Sequence, residues 1–196
     1  MRTQEIKIYT FEELSKESKQ NAINNYRESY DAIDLDLDIE EIKNNIEFNG
    51  FSNVVFYYSG FGNQGDGASF TAKVDIEYWI KETIKNGEHF LSETETSQVV
   101  DYFVENVSAK IERTRHLRYH HENTTELVCE CYDDNERYDV LYNDFCLLIE
   151  RARHNLSVNS YSSLELLYDG YVSDEYISDV LSTNDYEFLQ HGEFYN

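Results

Sequence analysis

Proline does not occur in this chain of 196 residues. The usual content of about 5% would supply roughly ten, so PxxP ligands, cis-proline turns and rigid proline linkers are excluded. Cysteine is scarce. Cys129, Cys131 and Cys146 make no even disulfide framework and suit a reducing cytoplasm. No apolar run reaches the roughly 18 residues of a membrane helix, and the opening MRTQEIKIYTFEELSKES lacks the apolar core of a secretion signal. Positive charge is the other scarcity: 16 Lys and Arg stand against 39 Asp and Glu, a net charge of −23. Direct nucleic-acid binding through phosphate contacts is therefore not expected.

Aromatic residues are present instead, at 15% of the chain with 17 tyrosines. Acidic disordered segments lack aromatics, so the composition describes a folded acidic domain, long enough for one domain with its own core. The charge is uneven. Residues 1–30 balance five acids with five bases, whereas residues 31–47 carry seven acids and one base. From His154 onward there are eight acids and no Lys or Arg. Residues 107–121 reverse the trend, with Lys110, Arg113, Arg115 and Arg118 against Glu112.

Periodicity divides the chain into short elements. Glu5–Tyr9 alternates as a short strand would, and Thr10 with Glu13 spells a capping box. Leu14, Ser18, Ala22, Tyr26 and Tyr30 then recur every four residues, which predicts a helix over about 11–29. DAIDLDLDIEEIKNNIEFNG alternates at first, but Ile39, Ile42 and Ile46 have helical spacing before the Asn49-Gly50 stop; a helix over about 36–48 is favoured. NVVFYYSGFG and ASFTAKVDIEYW predict a hairpin turning at NQGDG. SETETSQVVDYFVENV starts at a cap and places Val99, Tyr102, Phe103 and Val107 on one helical face. AKIERTRHLRYHH and ELVCECY, joined by ENTT, predict a second hairpin. RYDVLYNDFCLLIERARHNL carries Val140, Phe145, Leu148, Ile149 and Ala152 as a core helix, SDEYISDVLSTN a short helix capped by Ser173, and DYEFLQHGEFY a closing strand or hairpin. The expectation is one α+β domain spanning 1–196, an antiparallel sheet of hairpins with helices packed against it.

The loop GFGNQGDG invites a nucleotide reading that its context refuses. A P-loop needs Gly-Lys-Ser/Thr opening a helix; here lysine is missing and strand-like sequence follows. Gly60, Gly62 and Gly65 match a dinucleotide fingerprint by letter only, and Asp66 would repel pyrophosphate. One aspartate is too few for calcium, and in DLDLDIEE Ile39 stands where a calcium loop needs glycine. The remaining reading is a turn in which Gly65 and Gly67 take positive φ and Asp66 bonds the local backbone.

YYSGFGNQGDGASF resembles a motif, GF-x-x-QGDGASF, of small acidic phage- and prophage-encoded proteins loosely labelled as antitoxins of a toxin–antitoxin stability system. IYTFEELSKESKQNAINNYRE, RYHHENTTELVCECY and LSTNDYEFLQHGEFY resemble further segments of those proteins in the same order. The resemblance implies two signatures: Gly60, Phe61, Gln64, Gly65, Asp66, Gly67, Ser69 and Phe70, and then Tyr119, His121 and Glu122. If the hairpins adjoin, Gln64, Asp66, His121 and Glu122 would form a polar cluster beside aromatics.

Chemistry at that cluster is not specified by the sequence. Cys129 and Cys131 share a face and could meet a histidine around zinc, but third and fourth ligands are not evident, and half-buried packing is the expectation. Ser69, His121 and Asp66 could be drawn as a catalytic relay, yet a His121–Asp66 structural pair fits as well. No catalytic residue, metal or cofactor is called for. The expected function is non-enzymatic: binding a basic surface of a host or defence protein as a counter-defence inhibitor, of the anti-CRISPR or anti-restriction kind. Asp34, Asp36, Asp38, Glu40 and Glu41, with Asp133, Asp134 and Glu136, would mimic nucleic-acid charge. Two alternatives stand beside it, an antitoxin and a small hydrolytic or metal-dependent enzyme centred on the QGDG loop and His121. Tyrosines on an acidic surface would also suit a homodimer interface.

Overall fold

Side-chain caps and glycine stops set several helix boundaries. The computed structural model describes residues 5–28, 35–87, 91–114, 119–133 and 135–195, so Asp34, Asp134, Arg115 and Arg118 lie outside the described residues. Among the described residues the chain runs α1 (Lys16–Glu28), α2 (Asp36–Phe48), β1 (Phe51–Ser59), β2 (Gly67–Val74), α3 (Ile76–Asn86), α4 (Glu93–Asn106), β3 (Val107–Arg113), β4 (Thr125–Cys131), α5 (Asp139–Tyr171) and α6 (Asp174–Thr183). The sheet is antiparallel in the order β1-β2-β3-β4, with α3 and α4 inserted between its two hairpins. This is an α+β fold. Its residues gather into two units, one of 36–164 and one of 1–35 with 165–196.

In the unit of 36–164, α2 ends as its Asn49-Gly50 stop requires. Gly50 takes φ 80°, and the amides of Asn49 and Gly50 return to the carbonyls of Ile46 and Glu47. Phe51 then meets Phe70 and Trp79 with ring centroids 5.2 and 5.4 Å away. Phe103 of α4 packs edge-on to Phe145 of α5 at 5.6 Å. The strand expected through DIEYW stops at Val74. Asp75 caps the amide of Tyr78 at 3.0 Å, which converts an alternating pattern into α3. Helix α4 forms as expected, with Ser92 and Glu95 in a capping box and Val99, Val100 and Phe103 buried; Val107 instead opens β3.

The second hairpin is not a tight one. Strand β3 pairs with β4 from Val107↔Cys131 to Arg113↔Thr125 and ends there. The expected strand through Tyr119, His120 and His121 is absent; a 3-10 turn at Glu122–Thr124 leads into β4. Helix α5 runs 33 residues, well past the segment whose periodicity announced it. Its buried face is Leu141, Phe145, Ile149, Arg153, Ser157, Ser160 and Leu164, whereas Val140 is exposed.

The other unit has a core of Phe11, Leu14, Ala22, Ile23, Ile177, Leu181 and Phe188. The Thr10–Glu13 capping box forms, but it closes only a 3-10 turn at Phe11–Glu13. The backbone extends at Leu14 and α1 starts afresh, with Ser15 Oγ accepting from the amide of Ser18. That break turns both Phe11 and Leu14 inward. The strand expected at Glu5–Tyr9 reduces to a single bridge between Tyr9 and Phe188, and the closing segment to a bridge between Phe188 and Phe194. Ser173 caps α6 through the amide of Tyr176.

Candidate functional site

The glycine loop is a turn whose strain falls on Gly62 and Gly65, at φ 103° and 96°. Asp66 Oδ2 accepts from the amide of Asn63 at 2.7 Å and folds the turn on itself, as expected of a turn aspartate. Gly67 was expected at positive φ but opens β2 in ordinary backbone. It is glycine for another reason. A Cβ there would lie 2.7 Å from His121 Cβ and 2.9 Å from the His120 carbonyl oxygen.

The two signatures therefore adjoin, through backbone rather than through a shared face of two strands. Ser59 Oγ donates to the His120 carbonyl at 3.1 Å and accepts from the His120 amide at 3.0 Å. Thr124 Oγ1 donates to Ser69 Oγ at 2.9 Å. The Tyr119 ring would stand 3.6 Å from a Cβ on Gly65. From α5, the guanidinium of Arg153 reaches under this segment. Its Nη1 donates to the Glu122 carbonyl and, at 3.2 Å, to Thr125 Oγ1, while Nε and Nη2 form a fork on the Glu150 carboxylate. Only 4% of the Arg153 side chain is exposed. Sequence reading missed Arg153. Its signal was there: it falls four residues after Ile149 and eight after Phe145, a charged residue on the buried stripe of a helix.

The predicted site residues thus separate by role. Phe70 is fully buried against Phe51, and Ser69 is buried beneath Thr124, so both build the fold and neither is presented to a partner. Gln64 is exposed, and Tyr119 is 37% exposed. Phe61 stacks between Tyr58 at 6.1 Å and Tyr161 at 5.8 Å, and the Tyr161 hydroxyl donates to the Gly60 carbonyl. Glu122 accepts from the side chain of Asn123 at 2.8 Å. His121 Nδ1 accepts from the Asn123 amide and caps the 3-10 turn, so the His121–Asp66 pair is not made. Ser69, His121 and Asp66 each bond elsewhere, and the relay drawn from the sequence is not assembled.

Beside this junction, His120 stacks on Tyr57 at 5.3 Å while Arg113 lies over the same ring at 4.9 Å. Burial, and then the neighbouring Arg113 charge, hold the His120 imidazole below its ordinary pKa. Cys129 and Cys146 are half-buried; a hydrogen bond from Cys146 draws the Cys129 thiol down to about 7, and the same bond pushes Cys146 up. Among the described residues no three His, Cys, Asp or Glu side chains are grouped to hold a metal ion.

Alanine at Gly67 is expected to pry residues 119–122 off the loop. It costs about 3 kcal/mol, the upper end of overpacking, because the atoms 2.9 Å away are backbone, whereas alanine at Gly65, with nothing closer than 3.6 Å, carries only the left-handed penalty of about 1–2 kcal/mol. Chemical denaturation, with amide shifts at Tyr119 and His121 as the local probe, checks the order. Equal losses at both positions would show that the junction contributes nothing.

The acidic stretches lie in the same unit. On α2, Asp36, Glu40 and Glu41 are exposed and Asp38 is half-buried; Lys43 pairs with Glu40 at 3.3 Å. Asp133 and Glu136 are exposed between β4 and α5. No helix among the described residues is long and apolar enough to cross a membrane. No curated protein and no solved structure matches this chain. Residues 19–174, most of its length, match the family described as "Domain of unknown function (DUF8835)", and the chain belongs to that family.

Proposed function

We propose that this protein is a non-enzymatic inhibitor that occupies a basic surface of a host or defence protein, standing in for the nucleic acid such a surface holds. The observation that carries this reading is the net charge of −23 on a folded, aromatic-rich domain whose acidic stretches face outward. On α2, Asp36, Glu40 and Glu47 fall within about 40° of one another around the axis and give one side of the helix a row of negative charge. Such a row steers encounter with a cationic partner and sets its orientation. The exposed Asp133 and Glu136 add a second patch. The resemblance to phage-encoded acidic proteins supports a target in the bacterial host, of the CRISPR-effector or restriction-enzyme kind, and a cytoplasmic place of action.

The test is capture of a partner from a bacterial lysate, followed by binding measured from roughly 50 to 500 mM salt, across which exposed charges become strongly screened. Affinity is expected to fall at least about tenfold over that range. A variant carrying Asp36→Asn, Glu40→Gln and Glu41→Gln is expected to associate about tenfold more slowly while keeping its dissociation rate. A salt-independent complex, DNA binding without any cationic protein partner, or turnover of a small molecule by the purified protein would each sink the reading.

A further inference from the structure

Between α4, the end of β4 and the first turns of α5 lies a cavity of about 290 Å³. Its walls include Tyr102, Tyr132, Tyr138 and Tyr142, with Asp133 and Asp139 among the lining residues. Tyr102 and Tyr138 form a wedge, their centroids 4.4 Å apart and their planes inclined by 38°. Phe103, which also lines the cavity, packs edge-on to Tyr138 at 6.2 Å and helps fix that ring. The Tyr102 hydroxyl and the Cys131 thiol both donate to the Asp133 carbonyl, at 3.4 and 3.2 Å, which pins the backbone at this rim. Tyr132 is 69% exposed, yet its hydroxyl is held by Ser108 at 2.8 Å and by Glu130 at 3.2 Å. The aromatic walls are thus positioned in advance.

Aromatic faces carry negative charge density, and several of them around one space, with carboxylates added, select a cation. The volume sits at the lower end of ligand cavities and suits a single side-chain head group. Arg137, which does not line the cavity, already lies over the Tyr138 ring at 5.5 Å, so a guanidinium on this aromatic set is a contact the fold itself uses. A guanidinium is planar, stacks on tyrosine and forks onto a carboxylate, and it is more weakly hydrated than an ammonium. We infer that this cavity receives an arginine side chain of the basic partner, inserted among the tyrosines and paired with Asp133 or Asp139. This rests on the functional reading above and gives that reading an anchor point. Buried arginine and tyrosine are the residues that most often dominate such interfaces.

The probe is N-acetylarginine methylamide, titrated into the intact protein by NMR, with the neutral citrulline analogue as control and an oligoarginine peptide as the partner arm. Saturable shifts at Tyr102, Tyr132 and Asp139 are expected, with the citrulline analogue binding about tenfold more weakly. Tyr132→Ala, which removes a largely exposed ring, and Asp139→Asn are each expected to weaken both the amide and the peptide about fivefold with the spectrum otherwise unchanged. Shifts spread over α2 without saturation, or equal binding of citrulline, would overturn the site. Amide binding that the variants weaken, beside peptide binding that they leave untouched, would overturn the anchoring role while the functional reading stands. Amide binding with the expected variant losses, in a protein that no cationic protein engages, would leave the cation site and remove the functional reading instead.

Discussion

Alanine at Gly192 is expected to destabilise the unit of residues 1–35 and 165–196 by about 4 kcal/mol, one of the two largest single-residue effects in the protein. Gly192 sits at φ 86°, where an added methyl costs about 1–2 kcal/mol on its own. The methyl would also stand 2.1 Å from the Ser18 carbonyl oxygen and 2.9 Å from the Ala22 amide, which are helix backbone and cannot swing aside. The terminal turn would have to lift from α1. Three side-chain bonds hold it there: Ser18 Oγ to the Gln190 carbonyl at 2.8 Å, Asn21 to that of His191 at 3.3 Å and Asn25 to that of Gly192 at 3.2 Å. Each is worth about 1 kcal/mol when made. Hydrogen exchange at Ile177, Leu181 and Phe188, whose side chains form the core under that turn, is the readout. Unchanged protection there would show that the turn does not hold this core.

Arg153→Ala is expected to cost the unit of residues 36–164 about 3–5 kcal/mol, roughly a 10 °C fall in Tm for a chain of this size. The change strips the donor from the Glu122 carbonyl and the Thr125 hydroxyl, both at the base of the Tyr119–Glu122 segment, and leaves Glu150 without its fork. Lysine at the same position keeps the charge but not the geometry, and is expected to recover less than half of the loss. Glu150→Gln, at a side chain 44% exposed, is expected to cost only about 1 kcal/mol. Trp79 is the single tryptophan and is buried in this unit, so its fluorescence during urea unfolding reports the result. A loss below 1 kcal/mol for Arg153→Ala would mean that water replaces the guanidinium.

Local codes were readable where a side chain and its own backbone complete the signal. The capping box at Thr10, the cap at Ser92, the Gly50 stop and the Ser173 cap all formed as spelled. What followed a cap was less secure: Thr10 opened one turn rather than a helix, because Phe11 and Leu14 both had core to reach. Asp75 ended a strand whose alternation ran on through Ile76 and Tyr78. Gly67 was assigned to a turn torsion when its need was clearance from His121, a neighbour 54 residues away that no local pattern names. Phe70 and Ser69 were placed among the contact residues by their motif, and burial removed them.

By itself the sequence determined an acidic, aromatic-rich α+β chain, with most of its helices where apolar residues return every three or four positions and most of its strands where they alternate, α3 being the exception. These properties depend on charge count and on backbone periods of 3.6 and 2, which neighbours along the chain already express. Only the tertiary structure decided that the two signature segments meet, that Arg153 braces one of them from α5, and that four tyrosines from α4, α5 and the segment between β4 and α5 line one cavity. Those arrangements depend on where separate elements pack, and packing is set by the summed fit of many distant side chains, each contributing too little to be read alone.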